Sequence, residues 1–357
     1  MWEDNVRRVV PYTPGEQPDD EEMIKLNTNE NPYPPAPGVL AARNAMDVDR
    51  LRLYPDPAAN VLVNALAENY QVEPEQIFVG VGSDDVLSVA FLTFFNSEKP
   101  VIFPDITYSF YPVWANVYRI PYKTAPLDEN FHIRPEDYYE ENGGVIFPNP
   151  NAPTACYEPL SVVEDIVSHN RDVVVIVDEA YIDFAGPSAR ALIDQYDNLL
   201  IVQTFSKSRS MAGLRIGYAI GSPALIKAMN DVKYSINSYT MNLPSQLMGA
   251  AAVKDKAYFK ECVDKIVATR ERTKERLRAL GFVFPDSRAN FIFAKHPRIS
   301  ARELFGALRQ AHIFVRYFNQ PRISNHLRIT IGTPEEMRKL IEFLEHYLAE
   351  RKEKGEA

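Results

Sequence analysis

Apolar residues recur along this chain with two spacings. Between residues 58 and 70, Val61, Leu62, Leu66 and Tyr70 return at the interval of one helical face. The run Ile77 to Val81 is continuous and strand-length, and Gly82-Ser83 then opens a second helical stretch through Leu87, Phe91 and Phe95. Strand, glycine turn and helix make the first unit. Short apolar runs follow at Pro100 to Phe103, Gly144 to Phe147, Val173 to Val177, Leu199 to Val202 and Leu214 to Ile220, several of them separated by helix-length segments. Such alternation predicts an α/β fold, a mostly parallel sheet with helices on both faces.

A long helical stretch from about Pro244 to Leu280 ends at Gly281, which reads as a C-cap and a domain boundary. Beyond it, Asn290 to Ala294, Ala301 to Gln310, Phe314 to Phe318, Leu327 to Ile331 and Pro334 to Leu348 alternate short strands and helices, enough for a small α+β domain. Residues 1–42 are rich in Pro, Asn and Glu and read as an extended, turn-rich arm. The expected division is 1–42 as arm and part of the small domain, 43–280 as large domain and 281–357 as small C-terminal domain. A length of 357 residues agrees, since it exceeds what one core usually serves.

Charge narrows the partners. The net charge of -9 is spread rather than blocked, which argues against a nucleic-acid or anionic-membrane surface and requires any anion site to be local. The first residues carry Glu3, Asp4, Arg7 and Arg8 without an apolar run, so neither signal peptide nor anchor is expected, and the location expected is cytoplasmic. Cys156 and Cys262 lack metal or redox spacing and the six histidines form no ligand motif, so neither disulfide framework nor metal is expected.

Candidate chemistry centres on Thr204-Phe205-Ser206-Lys207, directly after an apolar strand and followed by Gly213-Leu214-Arg215-Ile216-Gly217. A lysine is by default a solvated charge. A Schiff-base lysine needs more: a lowered amine pKa, an aldehyde cofactor held by its phosphate, and a partner for the ring nitrogen. Asp178 ends the run Val173-Val174-Val175-Ile176-Val177, at the carboxyl end of a buried strand where open α/β sheets bind ligands. Its plainer reading is a helix N-cap. Tyr181, three residues on, is either a donor to the cofactor or a core tyrosine. Gly80-Val81-Gly82-Ser83-Asp84 lies between strand and helix, where backbone amides and the helix dipole receive phosphate, with Thr204, Ser206 and the fork of Arg215 to complete the cradle.

Taken in order, Gly82-Ser83-Asp84, Asn149-Pro150-Asn151-Ala152-Pro153-Thr154, Asp178-Glu179-Ala180-Tyr181, Ser206-Lys207 and Gly213-Leu214-Arg215-Ile216-Gly217 resemble the fold-type I aminotransferases. The segments Leu26 to Pro32, Leu53-Tyr54-Pro55-Asp56, Val315-Arg316-Tyr317-Phe318 and Leu327 to Gly332 are similar to the histidinol-phosphate aminotransferase group, a likeness that covers nearly the whole chain. This resemblance implies a large domain with a seven-stranded, mostly parallel sheet and pyridoxal 5′-phosphate as cofactor. It further implies transamination between L-histidinol phosphate and 2-oxoglutarate, in histidine biosynthesis, by a homodimer.

By the same resemblance Lys207 is the Schiff-base residue, Asp178 pairs with the pyridine nitrogen, and Tyr181 hydrogen-bonds the ring oxygen. Ser83, Asp84, Thr204, Ser206 and Arg215 surround the phosphate, and Tyr108 stacks on the ring. Tyr54 reaches across the dimer interface into the partner's site. Arg316 and Arg328 read substrate anions, with Tyr12 and Asn29 beside them. Related readings stay open: an aromatic amino-acid aminotransferase, a phospho-amino-acid decarboxylase on the same fold, or a cofactor-binding regulator without turnover.

One departure stands out. The family usually places asparagine before the Pro-Thr-Gly of its central loop, as a donor to the cofactor's ring oxygen, whereas this chain has Ala152-Pro153-Thr154-Ala155. Either Asn151 reaches that oxygen, or Tyr181 alone holds it, or the Schiff base titrates differently. Alanine at 155 also predicts a locally different turn, because a left-handed position disfavours a β-carbon.

Overall fold

The computed structural model describes residues 1–19 and 22–355. Its largest element is a seven-stranded sheet in the order Ile77–Gly80, Gly217–Ile220, Leu199–Thr204, Val175–Asp178, Gly144–Pro148, Val101–Pro104 and Tyr122–Ala125. Gly217–Ile220 runs against both of its neighbours, and the remaining adjacent pairs are parallel.

The central strands are continuous apolar runs because both faces are covered, and the strand period of two sorts their side chains. Val175, Val177, Leu199 and Ile201 enter one core with Leu62, Leu66 and Ile166. Ile176, Leu200 and Val202 point the other way, into a core with Leu87 and Phe91 of the helix Ser83–Phe94. A third core gathers Leu26, Phe291, Ile329, Leu304 and Leu340 around the antiparallel sheet Arg316–Tyr317, Leu327–Thr330 and Phe291–Ala294. Ile24–Lys25 pairs with Ile313–Phe314, which ties the N-terminal segment to that third core.

The helical stretch expected from Pro244 to Leu280 is two helices, Leu243–Lys254 and Lys256–Ala279. The break is chemical: the Asp255 carboxylate accepts from the Tyr258 amide and caps the second helix. That helix ends in a Schellman motif, with Gly281 at φ 84 and the Phe282 and Gly281 amides donating to the Leu277 and Arg278 carbonyls. Residues 1–42 are not wholly an arm, because a helix, Pro37–Ala45, begins inside them with proline in its first turn. Only Val39 of that helix is buried, too little for a visible periodicity. The expected strand Phe314 to Phe318 divides at Val315, each half pairing with a different partner. Tyr122–Ala125 went unforeseen because this sheet-edge strand exposes three of its four residues. Both cysteines are buried free thiols, and no helix among the described residues is long and apolar enough to cross a membrane.

Candidate active site

A cavity of about 270 Å³ opens where Pro148, Asp178 and Thr204 end their parallel strands. Its other walls come from the N-terminal segment (Tyr12, Thr28, Asn29, Glu30) and from the third core's sheet (Arg316, Phe318, Arg328). Two bodies of the fold therefore enclose one site.

Lys207 lines it, three residues beyond the strand end, with Nζ donating to the Thr28 carbonyl at 3.0 Å. Burial brings its amine down to about 8, Arg328 adds to the depression, and Glu30 opposes it. Asp178 sits opposite in chemistry. Its Oδ2 accepts the Tyr111 hydroxyl at 2.9 Å and its Oδ1 accepts the Ala180 amide at 3.2 Å. Burial pushes this carboxyl up to about 6 against those two hydrogen bonds. It caps no helix, since the turn Ile182–Phe184 has Tyr181 at its N-cap. Tyr181 faces the cavity with its hydroxyl 3.0 Å from Asn29 Nδ2.

The glycine turn is built for close approach. Gly82 has φ 87, and a β-carbon at Gly217 would overlap the Gly82–Ser83 backbone. The helix beginning at Ser83 leaves its first amides without intrahelical acceptors, at the positive end of its dipole. Asp84 Oδ1 accepts from Tyr108 at 2.8 Å and Oδ2 pairs with Arg215 at 3.1 Å. The Asp84 carboxylate is thus occupied in positioning Tyr108 and Arg215, and its backbone amide is the group suited to an anion. Thr204 Oγ1 accepts from the Ser206 amide at 3.2 Å, which turns both hydroxyls to the same wall.

Across the cavity Arg316 and Arg328 are direct cross-strand partners. Like charges in that relation are destabilising, so the pair is arranged for something other than strand stability. Both guanidinium carbons lie over the Phe318 ring, at 5.7 and 5.6 Å. Arg328 donates to the Asn27 carbonyl at 2.9 Å, yet its buried Nε has no hydrogen-bond partner. An unsatisfied buried donor beside a second arginine describes an anion receptor.

The profile of the aminotransferase class I and II family matches residues 21–344. This chain belongs to that family. A histidinol-phosphate aminotransferase of Lactococcus lactis subsp. cremoris is 50% identical over 354 residues, 99% of either chain. One from Pseudomonas putida is 52% identical over 344 residues, covering 96% of this chain and 99% of the relative. The crystal structure of histidinol-phosphate aminotransferase from Sinorhizobium meliloti in complex with pyridoxal-5'-phosphate superposes with a TM-score of 0.83 at 25% identity, covering 91% of this chain and 90% of that one.

Within this aminotransferase, thirteen of the fifteen residues singled out from sequence line the cavity: Tyr12, Asn29, Ser83, Asp84, Tyr108, Asp178, Tyr181, Thr204, Ser206, Lys207, Arg215, Arg316 and Arg328. Asn151 does not. Its Nδ2 donates to Ile106 O at 3.0 Å and Thr154 Oγ1 at 2.9 Å, and Ala152 and Pro153 form the wall instead. Tyr54 lies on the outer surface, 82% exposed and stacked on Tyr239 at 4.5 Å. The turn at Ala155 is also not what alanine predicted, because it remains left-handed at φ 65 and is fully buried. The conformation costs roughly 1–2 kcal/mol and burial of the methyl returns about 0.8 kcal/mol, so about half of the strain is offset.

Sequence reasoning missed Tyr111, Glu30 and Phe318. Tyr111 opens its helix three residues after Tyr108, yet its partner Asp178 is 67 positions away and no local pattern announces the bond. Glu30 holds Lys25 and accepts from Thr28 Oγ1 at 2.7 Å, bracing the segment whose carbonyl receives Lys207.

Proposed function

We propose that this chain is a histidinol-phosphate aminotransferase that uses pyridoxal 5′-phosphate, exchanges an amino group between L-histidinol phosphate and 2-oxoglutarate, and works as a cytoplasmic homodimer. The observation that carries the reading is the enclosure in one cavity of a depressed lysine amine, a buried carboxylate, a glycine-turn cradle and a paired-arginine receptor. The names borne by relatives at about half identity over the full length support the substrate.

The residues fit the cofactor on their own terms. Asp178 is a buried carboxylate held by two neutral donors and no cation, which leaves its charge to be matched by a pyridinium N–H. The Ser83 turn and Arg215 suit the phosphate, and Tyr108 and Ala180 line the space for the ring. Bound there, the cofactor supplies an aldehyde for the amine to condense with and an electron-poor ring to delocalise the electron pair left on the substrate's Cα.

Lys207 then does the proton work. With its amine lowered to about 8, roughly a tenth is neutral at pH 7, far more than for an ordinary lysine, so Nζ takes the Cα proton once the substrate amine has displaced it and returns that proton elsewhere on the conjugated system. The Thr28 carbonyl holds the freed amine in place. Arg316 and Arg328 bind the phosphate ester of one substrate and a carboxylate of the other, which explains two arginines at one anion position. We assign the helix Pro37–Ala45 with the chain on to residue 280 to the cofactor-holding domain, since Val39 packs in that domain's core, and the described residues before that helix with 281–355 to the small one.

Leu53, Tyr54, Ile236 and Tyr239 are 45–82% exposed and form an apolar surface, which supports a second copy docking there with Tyr54 entering its site. The deciding experiment is the absorbance spectrum of the cofactor-loaded protein before and after L-histidinol phosphate, with Lys207→Ala alongside. A spectral change reversed by 2-oxoglutarate and absent from the variant supports the reading. Conversion by aromatic amino acids alone removes the substrate, and carbon dioxide release removes transamination.

A further inference from the structure

Ala152 and Tyr181 pack in the same core cluster and line the same cavity, and Ala152 offers only a methyl group. Beside them runs a chain of hydrogen bonds whose direction is fixed. The Asn29 backbone amide donates to Thr330 Oγ1 at 3.0 Å, so that oxygen is an acceptor and its own proton is free. The proton's acceptor is Asn29 Oδ1 at 3.1 Å. With Oδ1 committed to Thr330, the amide presents Nδ2 to the Tyr181 oxygen at 3.0 Å, and an amide nitrogen only donates. Reversing the amide would leave the Thr330 proton without an acceptor. Asn290 Nδ2 donates to the Asn29 carbonyl at 3.0 Å and helps hold the left-handed backbone, φ 58, that this arrangement needs. Asn29, Thr330 and Asn290 are all buried.

We propose that Asn29 is a positioning residue rather than a substrate contact: the relay from Thr330 through Asn29 makes the Tyr181 oxygen an acceptor on its buried side and thereby aims the Tyr181 proton into the cavity. The inference rests on the proposed cofactor, whose ring oxygen is the acceptor the proton meets. Tyr181 so directed is the donor left to that oxygen where Ala152 offers only a methyl group.

The test is a spectrophotometric pH titration of the chromophore that pyridoxal phosphate forms with the protein, which needs no turnover. A donor to the ring oxygen favours its anionic form and lowers the chromophore's pKa. Asn29→Ala is expected to raise it by about one unit, the effect of one modest hydrogen bond. Thr330→Val, at the far end of the relay, moves it the same way and serves if Asn29→Ala folds poorly. Tyr181→Phe raises it at least as far, and Asn29→Ala then adds nothing, because Asn29 acts through Tyr181. Ala152→Asn in the Tyr181→Phe background lowers it again. An unchanged pKa in both Asn29→Ala and Thr330→Val, or full additivity with Tyr181→Phe, overturns the relay and leaves the enzyme reading intact. A protein that forms no chromophore dependent on Lys207 overturns both.

Discussion

Tyr111 donates its hydroxyl to Asp178 Oδ2 across 2.9 Å, joining the first residue of the helix Tyr111–Tyr118 to the last of the strand Val175–Asp178. The bond opposes the burial that pushes this carboxyl up to about 6. In Tyr111→Phe the carboxyl rises further and its ionised fraction at pH 7 falls. Cofactor affinity at pH 7 is expected to drop about twofold, since a hydrogen bond to a charged group contributes about 1.5 kcal/mol and its loss moves the carboxyl up by about one unit. Titration by cofactor fluorescence at pH 7 and pH 8.5 checks it, the loss being smaller at the higher pH. Equal losses at both would leave Tyr111 a packing role alone.

Without cofactor, Asp178 should weaken the fold at neutral pH. Its folded pKa is raised, so the native state binds the proton more tightly than the unfolded chain does, and stability from this group declines as pH climbs from the ordinary carboxylate range through about 6. The full effect is on the order of 3 kcal/mol. Asp178→Asn is therefore expected to melt above the parent at pH 8 and level with it at pH 4. Pyridoxal phosphate should reverse that order at pH 8, because only the carboxylate satisfies a pyridinium. Scanning calorimetry with and without cofactor reads both signs.

Lys207 owes its lowered amine first to burial and second to Arg328. Arg328→Gln should move the pH dependence of cofactor condensation upward, because losing a nearby positive charge favours the protonated lysine. The same variant should raise KM for both anionic substrates at least 10-fold. A condensation profile unmoved from the parent's would remove Arg328 from the electrostatics of the lysine.

Arg322 ties the segment after Phe318 to the opposite wall. Its guanidinium pairs with Asp105 at 2.8 Å and donates to the Leu127 and Asp128 carbonyls, both at 2.8 Å. Asp105 precedes Tyr108 by three residues, so the strap links the arginine-bearing sheet to the Tyr108 turn. The group is partly exposed, which limits its worth to about 1 kcal/mol. Arg322→Ala should raise KM about fivefold with kcat within a factor of two, as steady-state kinetics will show. A fall in kcat alone would contradict this.

The apolar surface around Tyr54 should be covered in solution. Leu53→Glu is expected to shift sedimentation from dimer to monomer and to lower activity in step with the dimer fraction. A parent protein that sediments as a monomer would end that assignment.

What the chain determined by itself is what depends on near neighbours. Asp178 at the end of a β-branched run, Lys207 after the next strand, and Gly82 before a helix all follow from strand period, burial on two faces and the freedom of glycine. The Schellman end at Gly281 is local in the same sense. Only the tertiary structure decided which polar groups meet. Tyr111 with Asp178, Asn29 with Tyr181 and Arg322 with Asp105 each join segments 67 to 217 residues apart. Such a bond depends on the placement of two elements to within half an ångström and on which atom donates, and neither leaves a period in the sequence. The exclusion of Asn151 and the left-handed Ala155 were settled there too, where buried neighbours outweighed the preference of the single residue.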